Sequence, residues 1–256
     1  MKLFANDAPL QAAELDGSLM NSARSIAAFL ILLTAASVPL RSQGAEEGVA
    51  VAIIYDTSGS MKQTVTDLKG RPAPKYVIAN RALTAIANQL ENFITNNSSG
   101  ALRKVEAGVF VFEGSGAREA VKFGAFDPQP IRAFASSFSN PSGSTPLGNA
   151  LNVASKRVLN SPLGRKHVLV ITDGQNTAGP DPSVVLPRLQ RQAQTNDTTL
   201  SVHFVAFDVE AKVFDAVKKQ GATVVAAADE QQLNSQLQFI MQRKILLEEE
   251  EPAKKQ

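Results

Sequence analysis

Three short runs in this 256-residue sequence carry oxygen donors at spacings that let them converge on one point. In Asp56-Thr-Ser-Gly-Ser-Met61 the donors Asp56, Ser58 and Ser60 alternate, and Gly59 permits a tight turn between them. In Ser142-Gly-Ser-Thr-Pro-Leu-Gly148 the central hydroxyl is Thr145, and Ile171-Thr-Asp-Gly-Gln175 carries Asp173. Such oxygens suit a hard divalent cation. The first run alone says little, because Ser and Asp also fill ordinary loops. Three runs, each at the start or end of an expected element, say more. The chain has no cysteine, which excludes disulfides, thiolate zinc sites, iron–sulfur clusters and cysteine nucleophiles. Its two histidines, His167 and His203, are too few for a multi-histidine centre. Any metal must therefore be held by oxygen.

Competing chemistries lack their residues. A D-x-D phosphatase would need an acid where Ser58 stands. An EF-hand loop opening at Asp56 would need glycine in place of Met61 and glutamate in place of Asp67. Neither G-x-x-x-x-G-K-[ST] nor G-x-S-x-G occurs. A Ser58–His167–Asp173 triad fails on placement, because His167 is read as opening a strand at its N-terminal end, far from the edge that Asp173 occupies. His203 lies within an apolar strand and reads as a core histidine. The chain is expected not to be an enzyme.

The elements that must position these donors follow from hydrophobic pattern. Val49–Tyr55 and Val168–Thr172 are unbroken apolar runs, as expected of strands buried on both faces. Further strands are read at 105–112, 119–123, 200–207 and 223–227, with helices at 76–94, 147–158, 184–195 and 213–220. A last helix runs from an N-cap at Asp229 to about Leu246. Strands alternating with helices predict an α/β fold with a mostly parallel six-stranded sheet, one hairpin through Glu113–Ala117 supplying an antiparallel edge. Loops at the C-terminal ends of parallel strands share one edge of the sheet, so Asp56 and Asp173, 117 residues apart, can meet. Phe110, Phe112, Phe204 and Phe207 read as core, while Phe126, Phe134 and Phe138 read as packing around a short helix or as a partner-contacting rim. Met61, Lys62, Gln175 and Asn176 read as exposed loop positions, either setting partner specificity or merely solvated.

Residues 1–45 do not read as folded domain. Arg24, the fifteen-residue apolar run Ile26–Leu40 and the small residues Ser42–Ala45 form the pattern of a secretory signal, with Met20 a plausible true start and Gly44 or Ala45 at the cleavage point. An uncleaved anchor or a helix of the domain are the other readings. Residues 46–247 form the expected domain, and Glu248–Gln256 a charged tail, frayed or docking. With 26 basic against 24 acidic residues the net charge is +2, so no field of one sign invites nucleic acid.

The five donors in order, with Gly59-Ser-Met61, Thr145-Pro-Leu-Gly148 and Thr172-Asp-Gly174 beside them, resemble the von Willebrand factor type A domain and its metal-ion-dependent adhesion site, D-x-S-x-S with a distant Thr and Asp. The flanking residues are similar to the bacterial branch of that family, and the resemblance covers about residues 48–245. It implies a doubly wound, Rossmann-like three-layer α/β/α sandwich. It implies that Ser58, Ser60 and Thr145 ligate Mg2+ (or Mn2+) directly, with Asp56 and Asp173 acting mostly through water and by orienting the hydroxyls. Neutral hydroxyls quench little of the ion's charge, so an open position takes an Asp or Glu carboxylate from a protein partner. The expected function is an exported, periplasmic or secreted, adhesion- or scaffold-type binding module with no membrane span once the signal is removed. The alternative is a subunit of a larger chelatase- or ATPase-coupled machine. Such machines are intracellular, and the N-terminal signal argues against them.

Overall fold

The computed structural model describes residues 45–96 and 103–247. The segment read as a secretory signal, up to Gly44, and the tail from Glu248 lie outside the described residues. Along the chain run β1 (Glu46–Tyr55), β2 (Thr64–Thr66), β3 (Pro72–Pro74), α1 (Lys75–Thr95), β4 (Val105–Glu113), β5 (Gly116–Ala125) and α2 (Pro128–Ser137). They are followed by α3 (Leu147–Leu159), β6 (Leu163–Thr172), α4 (Pro182–Thr195), β7 (Leu200–Phe207), α5 (Asp215–Lys218), β8 (Thr223–Ala227) and α6 (Glu230–Ile240). The main sheet has the order β5-β4-β1-β6-β7-β8, parallel except for β5. This is the six-stranded α/β sandwich that the pattern predicts.

β1 shows why. Its side chains alternate between the two faces, and both faces are covered. Val49, Val51, Ile53 and Tyr55 pack with Ile78, Leu83, Ile86 and Leu90 of α1 and with Leu233 and Leu237 of α6. Ala50, Ala52 and Ile54 pack with Leu147, Leu151 and Val158 of α3 and Leu186 and Leu189 of α4. Each fully buried Ile or Leu contributes roughly 1.5–3 kcal/mol of burial, so the framework is held by its two apolar layers, independently of the polar edge above it. Asp127, Asp181 and Asp229 cap α2, α4 and α6 by accepting from Gln129 N, Ser183 N and Gln232 N.

Several boundaries differ from the expectations. β6 begins at Leu163 rather than Val168, because Arg165, Lys166 and His167 find burial or partners that their polarity hides. The helix expected at 213–220 is a 3-10 turn, Ala211–Phe214, followed by the short α5. α6 runs on as a π-helical segment, Met241–Leu246. A five-residue spacing places Ile240 over Ile245 and Met241 over Leu246, and all four are buried. The antiparallel pair β2–β3, between the first donor run and α1, is not foreseen by the pattern.

Candidate metal centre

β1 and β6 are neighbours in the sheet, yet the chain leaves β1 toward β4 and leaves β6 toward β7. The strand order reverses there, and the loops that follow both strands open onto one crevice. Asp56 N donates to Ile171 O at 3.1 Å, carrying the ladder to the sheet's edge. The buried Asp56 carboxylate then accepts from Ser58 N through Oδ1 (2.8 Å) and from Thr172 Oγ1 through Oδ2 (2.6 Å). The first bond closes a turn that aims Ser58. Ser58 Oγ lies 3.0 Å from Ser60 Oγ, and Ser60 Oγ donates to Asp173 Oδ1 at 2.7 Å.

The middle run is tied to the same point by its backbone. Ser142 N donates to Thr57 O (2.7 Å) and Gly59 N to Gly143 O (3.2 Å), with Gly143 in the left-handed region at φ +88°. Thr145 N donates to Thr177 Oγ1 (2.8 Å) and Thr145 O accepts from Thr177 N (3.0 Å). Its Oγ1 lies 3.9 Å from where a Cβ on Gly174 would stand, beside Asp173. Gly148 keeps this loop close, since a Cβ there would fall 2.0 Å from Pro180 O. Asp56, Ser58, Ser60, Thr145 and Asp173 thus share one edge.

Oxygens in cis positions around Mg2+, with bonds of 2.0–2.1 Å, stand about 2.9 Å apart. The Ser58–Ser60 and Ser60–Asp173 spacings of 3.0 and 2.7 Å fit that edge. Among the described residues no group of three or more His, Cys, Asp or Glu is placed to hold a metal. The donor set here is instead rich in hydroxyls, with two carboxylates. Burial, and then the charge of Asp173, push the Asp56 carboxyl up to about 6, against the lowering effect of the Ser58 and Thr172 hydrogen bonds. A buried Asp56 carboxyl that resists ionising favours a cation nearby.

The sequence profile described as the von Willebrand factor type A domain matches residues 51–175, from within β1 to just beyond Asp173. The chain carries a von Willebrand factor type A domain.

The fold agrees. The PilB minor pilin of Streptococcus sanguinis superposes with a TM-score of 0.55 at 16% identity, covering 76% of this chain and 60% of the pilin. Proximal thread matrix protein 1 of the mussel byssus, solved with zinc in its metal-ion-dependent adhesion motif, gives 0.56 at 16% identity, over 77% of this chain and 48% of that one. The von Willebrand factor domain of the type V pili tip protein Mfa5 from Porphyromonas gingivalis gives 0.54 at 10% identity, over 77% and 94%. The chain therefore spans about 60% of the pilin and about half of the mussel protein. No curated protein matches it in sequence.

Within this type A domain some expectations change. Met61 is not a rim residue: the 3-10 turn Gly59–Lys62 directs it inward, where it is fully buried in the α1-side core. Lys62 and Gln175 are exposed, and Asn176 is half-buried, accepting from Gly148 N (3.3 Å) and donating to Gly179 O (3.1 Å) as a brace. Phe134 and Phe138 meet Tyr55 edge-on at 5.6 and 5.5 Å, so their role is packing. His167 stands mid-strand rather than at a strand opening, buried against His203 with Nδ1 to Nε2 at 3.3 Å. It is paired with Val51, about five residues or 16 Å below the donor edge, and cannot serve a triad there.

Sequence reasoning missed one prominent residue beside these oxygens. Lys75, the first residue of α1, is buried beneath them, with Nζ 3.1 Å from Asp173 Oδ2, 2.8 Å from Asp208 Oδ2 and 3.0 Å from Gln63 Oε1. Its signal in the sequence is a cation at a helix N-terminus, where the dipole disfavours it.

Proposed function

We propose that this type A domain is an exported protein-binding module whose contact depends on Mg2+ or Mn2+. Ser58, Ser60 and Thr145 would present hydroxyls to the ion, and Asp56 and Asp173 would orient those hydroxyls and hold bound water. The ion, when bound, supplies a hard electrophilic centre with a position open to a carboxylate. A partner Asp or Glu would complete it. The observation that carries this reading is the hydroxyl–carboxylate chain Ser58–Ser60–Asp173, with oxygens spaced as neighbouring ligands of a small cation, at a strand-order reversal.

Further features support it. Both histidines lie within the sheet core, away from the donor edge, which favours binding over hydrolysis. The near-neutral net charge favours a protein partner over nucleic acid. Similar folds occur in a pilin, a pilus-tip protein and a byssal thread protein, which fits export by the apolar N-terminal segment. Among the described residues no helix is long and apolar enough to cross a membrane.

Melting curves recorded with chelator, with millimolar Mg2+ or Mn2+, and with metal plus a soluble Asp-containing peptide test this. A stabilisation that chelator reverses is the expected result. Curves that superpose in all three conditions would overturn the reading.

A further inference from the structure

We propose that Lys75 is a tethered cation of the donor site, which holds the site in shape without metal and sets a low divalent-ion affinity. This rests on the metal-binding reading above.

Lysines seldom bury their head groups, because the flexible stem lets the ammonium reach water. Lys75 does the opposite at an unfavourable end of a helix, with only 2% of its side chain exposed. Its three N–H donors meet three acceptors: Gln63 Oε1, Asp173 Oδ2 and Asp208 Oδ2. Those contacts divide Asp173 between two roles. Oδ1 accepts from Ser60 on the donor side, while Oδ2 faces the ammonium. Lys75 thereby offsets one of the two buried negative charges of Asp56 and Asp173, and fixes the rotamer that presents Oδ1.

The same charge opposes a divalent ion. Two like charges within one buried site repel strongly enough to shift affinity by a decade or more, even at an effective dielectric of about 20. Asp208 moderates that repulsion by drawing on the ammonium from the other side. It is a non-glycine residue at φ +54°, held in the left-handed region at the end of β7, with Asp208 N donating to Ala227 O at 2.7 Å. Metal alone then fills the site weakly, and a partner carboxylate supplies what Lys75 withholds.

Mn2+ titration followed by electron paramagnetic resonance, with melting curves in chelator, tests the proposal on wild type, Lys75→Met, Asp208→Asn and Glu210→Gln. Lys75→Met should bind Mn2+ on the order of tenfold more tightly and melt lower in chelator. Asp208→Asn should bind more weakly, because the ammonium is then offset by Asp173 alone. Glu210→Gln, with a solvated side chain two residues on, controls for net charge and should match wild type. Equal or weaker binding by Lys75→Met overturns the proposal and leaves the metal site standing. If that variant does not fold, Asp208→Asn binding as tightly as Glu210→Gln overturns it. No Mn2+ binding by any of the four, with or without acidic peptide, removes the metal site and this proposal with it.

Discussion

Thr145 shows how a single side chain separates binding from folding. Its backbone N–H and carbonyl hold the loop through Thr177, so the loop does not depend on the hydroxyl. Thr145→Ala should lower stability without metal by about 1 kcal/mol, a modest cost for a buried side chain that loses a hydroxyl and a methyl while the loop's backbone bonds remain. Wild type should gain about 2.7 kcal/mol at a hundredfold excess of Mg2+ or Mn2+ over its Kd. For a domain of this size that raises the melting temperature by roughly 5–10 °C. Thr145→Ala should lose most of that rise in a calorimetric scan; a full rise in the variant would remove Thr145 from the donor set. The convergence of the five oxygen-bearing residues on one edge was legible in the sequence because it follows from residue type, order and strand ends. Lys75 was not, because nothing local distinguishes a lysine folded under an acid from one in water. Met61 was misread for the same reason, since its direction is set by a turn that only the assembled loop defines.

At the scale of elements, one carboxylate joins three of them. Glu230, in the first turn of α6, accepts from Arg81 Nε (2.6 Å) and Nη2 (2.7 Å) of α1 and from Leu68 N (3.0 Å) in the loop between β2 and β3. The Arg81 hydrogen bonds hold the Glu230 carboxyl below its ordinary value. Arg81 is about half exposed, so its charge would not be stranded by losing the partner. Glu230→Ala should therefore cost about 1–2 kcal/mol, between an exposed and a buried pair. The effect should concentrate in the hairpin. Tryptic cleavage at Lys69, the hairpin's basic residue not followed by proline, should accelerate on the order of tenfold, matching about 1.4 kcal/mol of local opening; an unchanged rate would show that the hairpin is held otherwise. This clamp explains why β2–β3 escaped the sequence pattern. Its strands are three residues long, β3 carries two prolines, and the loop between them is tied by Leu68 N to Glu230, 162 residues away. β1, β4, β7 and α1 were legible because their apolar periodicity is local. The polar start of β6 and the π-helical end of the last helix were not, because each depends on what packs against it.

The whole molecule carries one pH response in its sheet. His167 of β6 and His203 of β7 lie side by side on the face toward α6, with rings stacked at 5.5 Å. Burial, then His203 and Arg165, hold His167 well below its ordinary 6.5; burial, then Lys244, bring His203 down to about 4. Arg165 also donates to Leu246 O at 3.1 Å, so the pair sits where β6 meets the π-helical end of the chain's last helix. Both folded-state values are depressed, so the unfolded chain binds more protons between about 4 and 6.5. The stability that neutral histidines contribute is fully present above about 6.5 and is lost as pH falls toward 4. For His203 alone the loss by pH 5 is roughly 2 kcal/mol, or about 4–8 °C in melting temperature. Asp56 acts in the opposite sense in the same window. Its folded value is raised to about 6, so protonation relieves its burial as pH falls. Melting profiles of wild type and His203→Gln in chelator share the Asp56 contribution, and their difference isolates the histidine. The variant should lose several degrees less than wild type between pH 7.5 and 5. Parallel profiles would show that the stacked pair titrates alike in the folded and unfolded chain.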